Sequence, residues 1–210
     1  MKAKGKDRNV GAMIGTIIIA VLFLGSTIGF VFLYSRGNTG EAGIYKYDGY
    51  KFIKTEQGWQ TSTQFGEITT AFLPKDTLEI ECDCPSLNYQ TIQAQKVYVI
   101  AITGAEINAA NEFLRNMAFN KIQRACLPED ANAVGCENLP LRNCSDANTQ
   151  TKVLIFKESA STESKSEEQG MSKFLKARVS FNNDCLTIKG EDLIKASDKA
   201  IYKVFGVITN

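Results

Sequence analysis

Six cysteines and not one histidine decide which chemistry this chain can carry. The thiols are Cys82, Cys84, Cys126, Cys136, Cys144 and Cys185. In an oxidising compartment an even set of this kind reads as a disulfide framework. The count leaves the connectivity open, but local pattern suggests one. Cys126 ends a helical segment, and Cys136 follows in a Pro/Asn/Gly-rich stretch that suits a short staple. Cys144 precedes one strand-like run and Cys185 opens another, so this pair would lock neighbouring strands. Cys82 and Cys84 remain for each other or for a partner chain.

The run Glu81-Cys82-Asp83-Cys84-Pro85 allows sharper readings. A C-x-C bridge closes a small ring, and strained, exposed disulfides are the more oxidising ones. A thiol–disulfide oxidoreductase using Cys82 and Cys84 is therefore one alternative. Thioredoxin-type sites, however, use C-x-x-C at a helix N-terminus to lower the thiol pKa, and here Pro85 follows directly. Structural zinc wants a second matched pair or histidines. Without histidine, Ser-His-Asp and Cys-His catalysis are excluded. No G-x-x-x-x-G-K-[ST] or G-x-G-x-x-G run supports a nucleotide site. The carboxylates are scattered. No catalytic, cofactor-binding or metal residue is assigned, and the balance leans away from an enzyme.

The elements that must position these thiols are legible as changes of period. Ile44–Thr55 is rich in Tyr, Phe and Ile, and Glu56-Gln57-Gly58 reads as a turn. Trp59–Phe65 and Glu67–Leu73 complete a meander that Pro74 ends. Its aromatic residues Tyr45, Tyr47, Tyr50, Phe52 and Trp59 read first as meander core and second as an interaction surface. Lys96–Thr103 fits a buried central strand. Over Glu106–Arg124, Ile107, Ala110, Leu114, Met117, Ala118 and Ile122 recur at helical spacing, which predicts one amphipathic helix with a single buried face. Residues 127–150 predict a long irregular segment. Lys152–Lys157, Lys176–Phe181 and Cys185–Lys189 are strand runs, the last two joined by a tight turn at Asn182-Asn183-Asp184. Glu158–Lys173 is polar and reads as an exposed loop. Leu193, Ile194, Ser197, Ile201, Val204 and Phe205 define a final helix. Asn143-Cys144-Ser145 makes Asn143 a candidate glycosylation acceptor.

Residues 10–35 carry no charge. As a helix they would reach roughly 39 Å, beyond what a bilayer core needs. Lys2, Lys4, Lys6 and Arg8 precede them. The expectation is a basic cytoplasmic N-terminus (1–9), a transmembrane helix (10–35), a flexible tether (36–43) and an extracytoplasmic domain (44–210). A cleaved secretory signal is the competing reading. It is disfavoured by the length of the run and the bulky Phe30–Tyr34. Gly11/Gly15 and Gly25/Gly29 form small-xxx-small pairs on nearly one face and are helix-association candidates, making a homo-oligomer in the lipid bilayer a second expectation. Of 24 basic and 23 acidic residues, four and one precede the apolar run, which leaves 20 and 22. A body with net −2 is no nucleic-acid surface.

The anchor followed by YDGYKFIKTEQGWQT (47–61), the strand KVYVIAI (96–102), the run from Cys126 through Cys136 to ENLPLRNC (137–144) and the tail NNDCLTIKGEDLIKASDKAIYKVFGV (182–207) resemble a group of single-pass membrane proteins of small-genomed archaea. The likeness covers most of the ectodomain. That group brings no established activity, so it implies no functional residues. The Cys82/Cys84 pair is extra to its pattern.

The fold expected is α+β: one transmembrane helix, then an extracytoplasmic mixed or antiparallel sheet with two packed helices, disulfide-stapled. The function expected is a non-enzymatic cell-envelope binding or assembly module, with no cofactor and an unidentified protein partner. A pilin-like filament subunit is the other alternative.

Overall fold

The computed structural model describes residues 43–159 and 177–208. The opening hairpins come from turn chemistry. Asp48 (φ 44°) and Gly49 (φ 82°) both take the left-handed backbone that a two-residue hairpin requires. They split the expected Ile44–Thr55 strand into β1 (Ile44–Tyr47) and β2 (Tyr50–Thr55). β3 (Gly58–Thr63) and β4 (Gly66–Thr70) complete a four-stranded antiparallel meander. At Gly58 a Cβ would lie 2.3 Å from the Thr70 carbonyl oxygen, so only glycine lets β3 turn there.

A second sheet holds six strands: β5 (Glu81–Asp83), β6 (Lys96–Ile100), β7 (Ile122–Ala125), β8 (Thr151–Glu158), β9 (Arg178–Asn182) and β10 (Cys185–Gly190). Their spatial order is β5-β9-β10-β8-β6-β7. β10, β8, β6 and β7 run parallel, and β9 joins β10 antiparallel. The helices are α1 (Tyr89–Ile92), α2 (Gly104–Leu114) and α3 (Leu193–Val204). α2 is the crossover that a parallel β6–β7 pair demands.

The main core lies on the sheet face that carries Val97, Val99, Leu154, Phe156, Val179, Leu186 and Ile188. α2 packs there through Ala109, Ala110 and Phe113, and the meander adds Phe52 and Ile68 to the same cluster. α3 is buried nearly all round, Asp198, Lys199 and Tyr202 included. An amphipathic pattern predicts one dry face; here the meander covers the other. Tyr202 makes the join: its hydroxyl donates to the Phe72 carbonyl at 2.5 Å, lies 2.6 Å from Thr70 Oγ1, and its ring meets Phe52 edge-on at 5.9 Å. The far edge of the meander is closed by a side chain. Asn116 Oδ1 accepts from the Thr69 N–H at 2.8 Å, and its Nδ2 donates to the Thr69 carbonyl at 2.9 Å, imitating a neighbouring strand.

Several expectations are corrected. There are two sheets rather than one, and three described α-helices rather than two. The helix expected over 106–124 stops at Leu114, and Ile122–Ala125 is strand β7. Asn116 spends its side chain on β4 and on the Glu112 carbonyl, and Ile122 pairs with Val97, so sheet pairing overrides the helical period. The buried stripe also differs: Phe113 is fully buried while Ile107 is 37% exposed. The expected transmembrane helix at 10–35, with Gly11, Gly15, Gly25 and Gly29, lies outside the described residues. Among the described residues no helix is long and apolar enough to cross a membrane. The longest, α3, has 12 residues and carries three lysines and an aspartate. The fold described is thus a two-sheet α+β domain, not the one-span, one-sheet arrangement expected. Most of the expected 158–173 loop falls outside the described residues as well.

Candidate functional site

All six cysteines are bonded: Cys82–Cys84, Cys126–Cys136 and Cys144–Cys185, with Cα separations of 5.3, 5.9 and 5.3 Å. These separations suit bridging without backbone movement. Cys82 and Cys84 straddle the end of β5, a strand that the sequence did not signal, and Cys84 is buried against the main core. The other two bridges act on the irregular segment between β7 and β8. This segment lies on the opposite face of the six-stranded sheet, where Tyr98, Ile100, Ala125, Leu127, Val153, Ile155 and Cys185 form a second, smaller core. Asn143 caps a short turn there, its Oδ1 accepting from the Ser145 N–H at 2.9 Å, and the middle residue of its glycosylation pattern, Cys144, is bridged.

The segment delivers one arginine. Beyond β7, Cys126 donates its N–H to the Pro140 carbonyl at 3.0 Å, and Arg142 donates its N–H to the Cys126 carbonyl at 2.8 Å. This parallel rung, anchored by the Cys126–Cys136 bridge, sets Arg142 over Tyr98, its guanidinium 4.9 Å from the ring centroid. Lys96 and Tyr98 share a face of β6 because side chains repeat every second residue. Lys96 Nζ donates to the Tyr98 hydroxyl oxygen at 2.5 Å, and Arg142 Nη2 approaches the same oxygen at 3.4 Å. Those two hydrogen bonds hold the Tyr98 phenol below the usual tyrosine pKa, with burial opposing them. One carboxylate, Asp146, stands 3.6 Å from Arg142 Nη1. Its other oxygen accepts from the Asn143 N–H at 2.9 Å. Arg142 Nε is buried without a hydrogen-bond partner among the described residues. The arrangement can bind negative charge and can supply an acidic phenol.

Other charged groups serve the fold. In open α/β sheets ligands bind beyond the strand C-termini where neighbouring strands diverge. Here that position, between β6 and β8, is filled by Glu106, which is 2% exposed. Its carboxylate accepts from the N–H groups of Ile102 (2.7 Å), Thr103 (3.1 Å) and Glu158 (3.0 Å), tying α2 to both strand ends. An open groove of about 640 Å³ is lined by Phe72, Lys75, Asp76, Leu78, Glu79 and Lys195. Lys195 is already paired there with Glu79 at 3.0 Å and Asp192 at 3.3 Å. Among the described residues no three His, Cys, Asp or Glu side chains gather as a metal site. The meander aromatics are inner-face residues: Phe52 is fully buried, and Tyr45, Tyr47, Tyr50 and Trp59 pack against the main core.

Sequence reasoning missed Lys96, Tyr98 and Arg142 as a group. The alternation Lys96-x-Tyr98 on a strand was a usable signal for two of them. Nothing local relates Arg142 to a residue 44 positions earlier. Comparison with protein-family models, with curated proteins and with solved structures finds no match to this chain.

Proposed function

We propose that this domain is an extracytoplasmic, disulfide-stapled binding or assembly module rather than an enzyme. The observation that carries the reading is the pairing of all six cysteines, two of the three bridges being spent on one irregular segment. Disulfides of this density belong to oxidising compartments. Parallel strands usually bury both faces under helices. Here a stapled loop segment covers the second face instead. Loops held on a rigid scaffold are where recognition residues concentrate, and pinning them beforehand lowers the entropy cost of binding.

Peptide mapping of the native protein, alkylated before any reductant is added, tests this. The expected result is three bridges, Cys82–Cys84 within a single peptide, and no alkylated cysteine. Alkylation of Cys126, Cys136, Cys144 or Cys185 in freshly isolated protein would place the domain in a reducing compartment and overturn the reading. Removing the Cys126–Cys136 bridge with a double Cys→Ser change is expected to cost about 2–4 kcal/mol in chemical denaturation.

A further inference from the structure

Among the described residues, the Tyr98 cluster gathers more positive charge than negative. Two cations, Lys96 and Arg142, converge on one phenol oxygen, and one carboxylate, Asp146, stands 3.6 Å from Arg142. The Cα partners of Tyr98 itself are uncharged: Val153 on β8 and Gln123 on β7. Like charges held this close repel unless an anion sits with them. The donor inventory also points one way. The phenol oxygen accepts from both cations, which leaves its own proton to donate. The Lys96 ammonium has further N–H groups, and the buried Arg142 Nε has no acceptor among the described residues. Donors of three kinds are therefore gathered at one place. Arg142 and Asp146 are each 36% exposed, so a ligand can reach the outer guanidinium nitrogens from solvent.

We propose that Lys96, Tyr98 and Arg142 form an oxyanion-binding site, which takes a phosphate or carboxylate group on the ligand that the module recognises. The inference rests on the binding-module reading above and names its ligand chemistry. Arginine is suited to such groups because its planar fork matches two oxygens at once, and charge-assisted hydrogen bonds are the strong ones. The stapled segment is then the device that carries the arginine to a lysine and tyrosine already fixed on the sheet.

Bound anion and phenolate compete for the same cations, so their binding is reciprocally coupled. Near-ultraviolet tyrosinate absorbance of the domain, followed through alkaline pH, reads this directly. The difference between the unmodified protein and Tyr98→Phe isolates one phenol. In chloride, that phenol is expected to ionise before an ordinary tyrosine. Replacing chloride by inorganic phosphate at constant ionic strength is expected to move its midpoint upward by at least about half a pH unit, a three-fold coupling or more. An equal shift with acetate assigns a carboxylate-bearing ligand, and a shift with phosphate alone assigns a phosphate-bearing one. Arg142→Gln and Lys96→Gln should each abolish the anion effect. If neither anion moves the midpoint, or if the shift survives in both variants, the inference is overturned. Protein with its three bridges intact and no anion effect loses this inference alone. Protein with alkylatable cysteines loses the module reading whatever the anions do.

Discussion

Asp184→Asn is expected to destabilise the domain by about 3 kcal/mol, and adding Lys152→Met is expected to restore most of the loss. Lys152 projects from β8, and its side chain is only 3% exposed. Its ammonium reaches Asp184 Oδ1 at 2.5 Å, and Asp184 is itself 26% exposed. Asp184 occupies the β9–β10 turn at φ 65° beside Asn183 at φ 49°. Asparagine tolerates that left-handed backbone, so Asp184→Asn removes charge without straining the turn. What remains is a lysine charge out of water with no opposite charge, which is why breaking one side of a buried pair is costly. Methionine of similar length removes the stranded charge and keeps the packing. Denaturant unfolding of the single and double variants checks both halves. A single-variant loss below about 1 kcal/mol would mean that the Lys152 stem reaches solvent, and the pair would then contribute like a surface one.

Asp198→Asn should act in the opposite direction. Asp198 is fully buried on α3. Its Oδ2 accepts from the Phe72 N–H at 2.8 Å. Burial pushes its carboxyl up to about 9, and the neighbouring Glu112 charge and hydrogen bond push the same way. The Phe72 N–H and the Arg115 charge oppose them without prevailing. The folded chain therefore keeps a proton that the unfolded chain releases near the ordinary aspartate value of about 3.9. Between those two values the native state binds more protons, so this group lowers stability as pH rises, by up to about 1.4 kcal/mol per pH unit. Asparagine keeps the acceptor for Phe72 and removes the titration. The variant is expected to be more stable than the natural chain at pH 8, on the order of 5 kcal/mol, and to converge with it below pH 4. Thermal unfolding across pH 4–9 is the check. Equal stability at pH 8, or a natural chain whose stability is flat over that window, would show that the carboxyl is ionised in the fold. Asp198→Ala, which also deprives the Phe72 N–H of its acceptor, should gain less.

Why both effects escape a reading of the sequence is plain from where their partners lie. Lys152 sits in the run KVLIFK, which announces a buried strand, yet nothing in it announces that the lysine is buried too. Its partner is 32 residues away. Asp198 falls on the polar side of a helix whose apolar stripe is correctly spaced. It is buried because a meander that ends more than a hundred residues earlier folds over that side. Tyr98 and Arg142 meet only because a disulfide-held rung carries one across the sheet to the other.

What the residues determined alone was every feature that depends on near neighbours. The strands around Lys96–Ile100, Thr151–Glu158 and Cys185–Gly190 follow from compact apolar runs. The β9–β10 turn follows from Asn183-Asp184, and the start of α3 from Asp192, whose side chain accepts from the Lys195 N–H. Even the missed β1–β2 turn was written as Asp48-Gly49. Tertiary structure alone decided that the meander forms a sheet of its own, that Ile122–Ala125 leaves the helical period to pair with β6, and which polar side chains go under cover. Local conformation is set by steric and hydrogen-bonding preferences a few residues wide. Pairing and burial are set by which distant surfaces meet, and at those positions the free energy of contact outweighs the local preference.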